Sequence, residues 1–519
     1  MAPNILYIMA DQMAASALSM YGGPAITPHL KKIAAGGTVF DAAYCPSPIC
    51  APSRFAMMTG QLPHRVGAYD NSSDFPASIP TFAHYLRNAG YRTCLSGKMH
   101  FVGPDQLHGF EERLTTDIYP ADFTWAADWD RGGEAYSPSN MSPAGVIESG
   151  LCERSLQLDF DQDVTHAARR KLFDYARFDR DKPFFMCVSY THPHNPFVIT
   201  KDYWDRYEGV DLPGPKVPYI PYEDRDAWSQ RYFRTIRQDE YDVSDAEIAI
   251  ARRAYYGMIS FIDDQIGILL QTLKDANFEE DTIVVFASDH GEMLGERGMW
   301  FKFNPYEGSI RVPIVIKMPG MDQAAREARA VSLLDLLPTF IDMASEGELP
   351  VMIEPVDGKS LLQMLKGTDH VRTDEVVVEY FAESVNAPAI ILRRDGLKYV
   401  FCGDDPGLLF DLKADPLELV NLAESESHAQ VAAAMRREIL QRWDIAAIEK
   451  DVRRSQARRR VVQQAIDSGI KPAWDYTPPY DGTREYVRPN PSLPGTTDIK
   501  RKARYPYVQA AKPDHPRKV

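Results

Sequence analysis

Several features that would assign the chain to other protein classes are scarce or absent. No apolar run approaches the length of a transmembrane helix, and the first residues lack the basic stretch and small-residue cleavage site of a signal peptide. The six cysteines form no Cys-x-x-Cys pair and are too sparse for a disulfide framework. The formal net charge is −15, whereas nucleic-acid binding needs a basic surface. We therefore expect a cytoplasmic protein with reduced cysteines that binds neither a membrane nor nucleic acid.

The composition that is present belongs to an ordinary globular protein. Hydrophobic residues make up 44% of the chain and charged residues 25%. A length of 519 residues is enough for one large core and a smaller domain. The acidic balance does not exclude an anionic substrate, because a local cluster of lysine, arginine and a metal ion can reverse the sign of the potential inside a cleft.

Apolar runs alternate with amphipathic stretches through residues 1–368, which we predict to form a catalytic domain. The runs predict buried strands at Asn4–Ala10, Tyr91–Leu95, Pro183–Ser189, Thr282–Ala287 and Val312–Met318. The stretches predict helices from Pro28, over Ile79–Ala89 and over Ala251–Leu273. This alternation indicates an α/β fold with a large, mostly parallel sheet flanked by helices. In such sheets the chemistry gathers at the carboxyl ends of the strands.

The chain changes character after residue 368. Residues 369–469 predict a smaller α+β domain, with short antiparallel strands at Glu375–Phe381, Ala389–Arg394 and Leu397–Phe401 and one helix over His428–Ile448. Residues 470–519 are rich in Pro, Tyr, Arg and Lys. They are either a disordered tail or an extended arm that contacts a neighbouring subunit. We favour the arm, and with it a dimer or tetramer, because disordered segments usually lack aromatic residues.

One short motif carries most of the chemical information. Cys50-Ala51-Pro52-Ser53-Arg54 precedes a predicted helix over Pro52–Met58, and Thr59-Gly60 closes the segment. A helix N-terminus offers free N–H groups and a positive dipole end, so an anion at Cys50 would be stabilised there. Arg54 adds a charge one turn further on. The alternative is a buried cysteine in a Pro-Ser turn.

Acidic residues close two of the predicted strands. Asp11 follows the first strand, and Asp289-His290 closes the strand that begins at Thr282. Each could instead be a turn cap. Because parallel strands end at one edge of a sheet, we expect these side chains to meet there. Carboxylates with one imidazole suit Ca²⁺, Mg²⁺ or Mn²⁺.

Four further basic residues have candidate roles at the same edge. Lys98 and His100 follow the strand Tyr91–Leu95, and His194 lies between two prolines after another strand. Lys302 follows an aromatic run. A lysine at these positions could bind an anion, and a histidine could move a proton near neutral pH. The alternatives are structural histidines and surface lysines.

The order of these motifs resembles that of the formylglycine-dependent sulfatases of the alkaline phosphatase superfamily. The resemblance extends from the first strand to the helix near Ile448. Within that family the chain is most similar to the choline sulfatases, on segments 97–123, 294–298 and 454–459. The resemblance implies hydrolysis of a sulfate ester, most plausibly choline-O-sulfate to choline and sulfate, after a maturation enzyme has converted Cys50 to formylglycine.

The resemblance also implies roles for single residues. It assigns one divalent cation, usually Ca²⁺, to Asp11, Asp289, His290 and the converted Cys50. Arg54 would steady the formylglycine diol, and Lys98, His194 and Lys302 would bind sulfate. His194 or Lys302 would protonate the leaving alcohol, and His100 would take a proton from the sulfated hemiacetal so that sulfate is eliminated. Asn71 matches a substrate-contacting position.

The chain departs from the family pattern in two places. Many sulfatases have a second acid after the first metal ligand, where this chain has Gln12. Choline needs an aromatic and acidic pocket, for which Trp125, Trp129 and Glu383 (or Glu379) are the candidates. The stretch 131–140 lacks the tryptophan pair expected of a choline sulfatase, and Tyr136 is its candidate replacement. The alternatives are an aryl or alkyl sulfatase, a phosphonate monoester hydrolase, or a catalytically inactive protein in which Cys50 stays a thiol.

Overall fold

The computed structural model describes residues 2–131, 138–345, 352–369, 371–482 and 505–506. In this part of the chain the central sheet has eight strands. Their order from edge to edge is Ala325–Glu327, Thr38–Phe40, Ile314–Lys317, Thr282–Ser288, Asn4–Ala10, Phe184–Ser189, Arg92–Gly97 and Glu112–Arg113. The five strands from Thr282–Ser288 to Glu112–Arg113 are parallel neighbours, whereas Ile314–Lys317 is antiparallel to both of its partners. The predicted mostly parallel sheet is therefore confirmed.

The first strand shows why the central strands are continuously apolar. Ile5, Tyr7 and Met9 lie in one hydrophobic cluster, and the alternate residues Leu6 and Ile8 lie in a second cluster. Successive side chains of a strand point to opposite faces, so both faces of the sheet are covered. Such a strand needs no polar face, which explains its sequence.

Helices form the two covering layers, and their main members in the described residues are Pro28–Ala35, Cys50–Thr59, Phe82–Asn88, Leu156–Phe178, Ala227–Thr235, Asp245–Asp275 and Leu336–Ala344. The longest begins six residues before the predicted Ala251. Ser244 caps it by accepting a hydrogen bond from the backbone N–H of Glu247, and the Glu247 carboxylate accepts one from the backbone N–H of Ser244. The capping box, rather than the first apolar residue, sets the helix start. Two-stranded pairs complete the region: Ala43–Tyr44 with Val331–Ser332, and Gly150–Leu151 with Val198–Ile199.

The C-terminal region contains the predicted antiparallel sheet. Its strands are Glu375–Tyr380, Ala389–Arg394, Leu397–Cys402 and Leu408–Asp411, in sequence order. Buried residues from both faces of this sheet, such as Val378 and Ile390, belong to the same hydrophobic cluster as Tyr7. The smaller sheet is therefore packed onto one face of the molecule's main core.

The predicted single helix over His428–Ile448 is wrong. The structure has two helices, Ala429–Arg442 and Ile445–Ser468. Trp443 is extended between them, is buried, and donates from Nε1 to Glu379 at 2.6 Å. Asp444 then caps the second helix by accepting from the backbone N–H of Ala447. Burial of one tryptophan and a new N-cap thus outweigh the continuous helical pattern.

The described part of the C-terminal arm packs on its own chain. Trp474 contacts Phe123 edge to face, with ring centroids 5.5 Å apart. Tyr476 donates to the carbonyl oxygen of Arg113, and Tyr505 donates to that of Ala276. Contact of this arm with a neighbouring subunit stays a prediction. Among the described residues, no helix combines the length and the apolar character needed to cross a bilayer.

Candidate active site

Four adjacent parallel strands end at one edge of the sheet, and this edge carries the candidate site. Asp11, Lys98 and Asp289 directly follow three of these strands, and the fourth leads into the loop that carries His194. All four side chains are buried. The shared strand direction therefore brings together residues that are far apart in the sequence, as predicted.

Cys50 is the first residue of the helix Cys50–Thr59, and every residue of this helix is buried. Ile49 before it is extended, so the chain turns sharply into the helix at the cysteine. The backbone N–H of Ala51 donates to Oδ1 of Asn71 at 3.0 Å. This bond places the predicted substrate-contacting Asn71 beside Cys50, at the positive end of the helix.

Four predicted metal ligands converge in the structure. One ligand atom from each of Asp11, Cys50, Asp289 and His290 lies within 4.8 Å of the others. Cys50 Sγ is 3.2 Å from Nε2 of His290 and 3.9 Å from Oδ1 of Asp11. Burial lowers the pKa of His290 to about 3, which keeps the imidazole neutral and able to ligate. Two carboxylates, an imidazole and an oxidisable cysteine fit a hard divalent cation.

A second acidic cluster, His29 with Asp263 and Asp264, is already occupied by other contacts. Asp263 accepts from the backbone N–H groups of His29 and Leu30 at the start of a helix. Asp264 forms an ion pair with Arg206. This cluster is therefore a helix cap with a neighbouring ion pair.

Arg54 holds the metal-ligand carboxylates in place. Its Nε donates to Oδ2 of Asp289 at 2.8 Å, and Nη2 is 3.6 Å from Oδ2 of Asp11. Nη1 donates to the carbonyl oxygen of Lys98 and to Ser189. Burial alone would raise the pKa of Asp289, but the Arg54 guanidinium, with His290 and Lys98, holds it below its usual range. The arginine thus keeps this buried carboxylate ionised.

Lys98 and His100 lie on the side of the site that faces Tyr119. The ammonium of Lys98 is paired with Asp11 and lies 4.2 Å from the centre of the Tyr119 ring. Burial lowers the pKa of Lys98 to about 7. Burial, with the Lys98 charge second, lowers the pKa of His100 well below its usual value. Neither ring nitrogen of His100 has a hydrogen-bond partner among the described residues, so the ring is free to accept a proton.

His194 and Lys302 belong to a buried polar chain. Nζ of Lys302 is 2.8 Å from Nε2 of His194 and 2.5 Å from Oε1 of Gln12. Nε2 of Gln12 donates to Glu292 at 2.6 Å, and this carboxylate also accepts from the backbone N–H of Phe301. Burial raises the pKa of Glu292 to about 7. The amide oxygen of Gln12 thus accepts from Lys302, and its amide nitrogen donates to the buried Glu292.

Aromatic rings border the part of the site that carries His100 and His194. Tyr119 Oη is 3.3 Å from Nδ1 of His194, and its ring is 4.9 Å from that of His100. Trp125 packs edge to face on both Tyr119 and His100, at 5.0 and 5.7 Å. Trp125 is half-buried. Trp125, which is predicted to line the leaving-group pocket, therefore adjoins His100, the predicted proton acceptor.

The acidic candidate Glu383 lies between Trp129 and the Lys302 segment. Nε1 of Trp129 donates to the carbonyl oxygen of Ala382, and the hydroxyl of Ser384 donates to that of Phe303. These bonds fix the residues on both sides of Glu383. Burial raises the pKa of Glu383 to about 7, Asp70 raises it further, and Lys302 opposes the rise.

The two glutamates considered for the cation pocket differ in their partners. Glu379 accepts from the ring of His64 at 2.7 Å and from Nε1 of Trp443 at 2.6 Å, so its carboxylate is used within the fold. No ion pair among the described residues includes Glu383, although it is only 6% exposed. Glu383 is therefore the better candidate of the two.

Three residues of the site escaped the sequence prediction. Tyr119 and Glu292 approach through loops, and Asp117 accepts from the backbone N–H groups of Met99 and His100. Asp117 orients the loop after the strand Arg92–Gly97; its only sequence signal was its place in segment 97–123. Tyr136 lies outside the described residues.

The chain matches three protein-family models. The sulfatase model matches residues 3–346. The model of the C-terminal region of N-sulphoglucosamine sulphohydrolase matches residues 295–444, and that of the choline sulfatase enzyme C terminus matches residues 450–505.

The proteins to which the chain is similar include enzymes from several organisms. The chain is 42% identical over 512 residues to a choline-sulfatase of Rhizobium meliloti. The aligned region covers 96% of this chain and 98% of the relative. It is 31% identical over 457 residues to an arylsulfatase of Clostridium perfringens, covering 83% and 92% of the two chains. The solved phosphonate monoester hydrolase of Agrobacterium radiobacter superposes with a TM-score of 0.69 at 25% identity, covering 86% of this chain and 96% of that one.

Proposed function

The chain belongs to the sulfatase family and is a sulfuric ester hydrolase, and from this premise we propose that it hydrolyses choline-O-sulfate to choline and sulfate. The observation that carries the choline assignment is the buried Glu383 carboxylate, which has no ion-pair partner in the described chain and lies next to Trp129. A buried carboxylate is costly unless a cation compensates it. A quaternary ammonium ligand supplies that charge and also favours aromatic faces.

We propose that Asp11, Cys50 in its converted form, Asp289 and His290 hold one divalent cation, with Ca²⁺ as the first choice. The all-buried donor set and the ionised state of Asp289 support this assignment. When bound, the cation supplies positive charge that polarises a sulfuryl oxygen and the nucleophile. The requirement of this site for ionised ligands explains why Arg54 contacts both aspartates.

The nucleophile is proposed to be formylglycine at position 50, formed by a maturation enzyme. Its hydrated aldehyde would supply one hydroxyl for attack on sulfur and a second through which sulfate is later eliminated. The start of the helix Cys50–Thr59 places the positive end of the helix dipole at this position, which stabilises negative charge there. His100 accepts the proton that elimination releases, a role supported by its neutral, unpartnered ring.

The lysines and His194 are proposed to bind sulfate and to assist the leaving alcohol. Lys98 and Lys302 approach from opposite ends of the site, each anchored by a different partner, Asp11 or Gln12. Burial and the neighbouring lysines lower the pKa of His194 well below its usual value. A neutral His194 accepts a hydrogen bond from Lys302, so Lys302 is the proton source for the leaving oxygen, directly or through His194.

The remaining alternative is the same sulfate site combined with a different leaving-group pocket. The aryl-sulfatase relative and the phosphonate monoester hydrolase fold support this second candidate. A neutral aryl group would use Trp125 and Tyr119 but would leave Glu383 uncompensated. The two candidates therefore predict opposite effects of removing the Glu383 charge.

The test compares kcat/KM for choline-O-sulfate, 4-nitrophenyl sulfate and a phenylphosphonate monoester. The protein is produced with the maturation enzyme, supplied with Ca²⁺, and the mass of the Cys50 peptide establishes its conversion. We expect a preference of at least about 100-fold for choline-O-sulfate. A preference for either aryl substrate would refute the choline assignment, and an unconverted, fully active Cys50 would refute the formylglycine mechanism.

Two further proposals concern the whole protein. Six cysteines without a disulfide among the described residues support a cytoplasmic location. The aromatic arm after residue 470 supports a homo-oligomer.

A further inference from the structure

The segment Ala121–Trp129, which carries both pocket tryptophans, is neither helix nor strand up to Asp128, and a short 3-10 helix begins at Trp129. Its backbone N–H groups are satisfied instead by side chains, at every second residue. Those of residues 121, 123, 125, 127 and 129 donate to side-chain oxygens of Asp475, Gln463, Ser72, Asp70 and Gln456, at 2.8–3.2 Å. Backbone donors left unpaired in a protein interior are costly, so these acceptors determine the path of the segment.

Most of these acceptors depend on one C-terminal helix. Gln456 and Gln463 are seven residues apart on Ile445–Ser468, and Arg459 lies between them. Positions i, i+3 and i+7 share one face of a helix. Arg459 binds Asp70 with two hydrogen bonds, at 2.5 and 2.9 Å, and both residues are buried. The helix therefore contacts the segment directly through two glutamines and indirectly through Asp70.

The outer side of the same segment is held by charge and by ring packing. Arg460 pairs with Asp128, and Arg453 pairs with Asp130 and lies 5.6 Å from the Trp129 ring. Beyond the helix, Trp474 packs on Phe123. Contacts thus run along the whole segment rather than at one end of it.

We propose that this face of the helix Ile445–Ser468, together with Asp475, sets the leaving-group selectivity of the enzyme by holding the backbone of Ala121–Trp129. The inference rests on the proposed function, because it assigns Trp125 and Trp129 to the leaving-group pocket. Gln456, Arg459, Gln463 and Asp475 are positioning residues: they act through the two tryptophans. The lysines proposed to bind sulfate and the predicted metal ligands lie on other elements, and none of these five hydrogen bonds includes them.

The first test removes one acceptor while keeping the size of its side chain. Gln463→Met abolishes the bond to the N–H of Phe123, and Gln464→Met is the matched control, because Gln464 is the adjacent, exposed glutamine on the same helix. We expect Gln463→Met to lower kcat/KM for choline-O-sulfate about tenfold, mainly through KM. The loss for 4-nitrophenyl sulfate should be smaller, about threefold or less, because an aryl group uses Trp125 but neither Trp129 nor Glu383. Gln463→Glu, which retains the acceptor oxygen, should restore most of the loss.

Hydrogen–deuterium exchange supplies a readout that does not depend on the substrate. Peptides covering residues 119–131 should exchange faster in Gln463→Met and in Gln456→Met than in the wild type, with Gln464→Met unchanged. Equal losses on both substrates, or unchanged exchange, would overturn the proposal. The wild-type substrate preference tests the proposed function separately: if the wild type prefers an aryl sulfate, that function fails, whereas a shifted substrate ratio in Gln463→Met would still support the positioning role.

Discussion

At the scale of single residues, the site works by keeping buried charges in defined states. Asp289 is held ionised next to Arg54, whereas His100 and His194 are kept neutral next to lysines. Metal ligation needs carboxylates, and proton transfer needs a neutral imidazole. Burial and the lysine charges together lower the pKa of the two histidines, whereas neighbouring cations outweigh burial at Asp289.

Glu383 should make choline-O-sulfate turnover depend on pH near neutrality. Its carboxylate must be ionised to bind a cation, and its pKa is about 7 in the folded protein. We therefore expect kcat/KM for choline-O-sulfate to fall as the pH drops below about 7, which gives the pH profile an acidic limb. The profile for 4-nitrophenyl sulfate should lack this limb. Glu383→Gln should lower kcat/KM for choline-O-sulfate about 10- to 100-fold and remove this limb. The exposed Glu424→Gln serves as the control, and an unchanged limb in Glu383→Gln would contradict the assignment.

The same residue predicts a change in stability. Because burial raises the pKa of Glu383 from its ordinary value of 4.5 to about 7, the folded state binds this proton more tightly than the unfolded state. Its contribution to stability is therefore present below the unfolded pKa and is lost as the pH rises through the folded pKa. At pH 8 without substrate, Glu383→Gln should increase the free energy of unfolding by up to about 3 kcal/mol. Urea titrations at pH 5 and pH 8 test this, and an equal effect at both values would exclude it.

At the scale of elements, the break at Trp443 between the helices Ala429–Arg442 and Ile445–Ser468 determines the direction of the second helix. Trp443 fills the core and binds Glu379, which also anchors His64 at the start of Pro63–Val66. The break redirects the chain so that the next helix runs along the segment Ala121–Trp129. The buried Trp443 side chain thus sets the point at which the chain turns into the helix that contacts this segment.

Trp443→Ala should destabilise the protein by leaving a cavity in the core and by removing one of the two hydrogen bonds that Oε1 of Glu379 accepts. We expect a loss of about 3–5 kcal/mol in the free energy of unfolding, measured by chemical denaturation. Trp443→Phe keeps most of the volume and should lose less, because it forfeits mainly the hydrogen bond. Equal losses in the two variants would show that the volume at this position has no part in the stability.

At the scale of the whole molecule, metal binding and folding should be coupled. The ligands come from the ends of two strands and the start of a helix, so the complete site exists only in the folded chain. Removing divalent metal should lower both activity and Tm, and adding Ca²⁺ at 100 times its Kd should raise stability by about 2.7 kcal/mol. Asp289→Asn should abolish the Ca²⁺-dependent rise in Tm, which thermal denaturation with and without Ca²⁺ measures. A rise that persists in this variant would place the ion elsewhere.

The arm provides a second prediction at this scale. A chain that ends after residue 482 keeps Trp474, Asp475 and Tyr476, and with them the contacts to its own pocket segment. We expect this truncation to lower the subunit number in solution, as measured by light scattering, while 4-nitrophenyl sulfate turnover persists. An unchanged subunit number would assign assembly to another surface.

The sequence by itself determined the central strands of the sheet, several of its helices and which residues gather at its edge. Continuous apolar runs specify strands buried on both faces, and parallel strands place Asp11, Asp289 and Lys98 at one edge. The cysteine motif is local, so its position at a helix start could be predicted from neighbouring residues. These features depend on periodicity and on short sequence separations.

Only the tertiary structure decided which partners these groups have. The chain Lys302–Gln12–Glu292, the choice of Glu383 over Glu379, and the support of Ala121–Trp129 by Gln456 and Gln463 all join residues far apart in sequence. No local pattern encodes such contacts, because a side chain on a loop or helix face selects its partner only after the core has packed. Burial then sets the charge state of each group, and burial is a property of the folded molecule rather than of any segment.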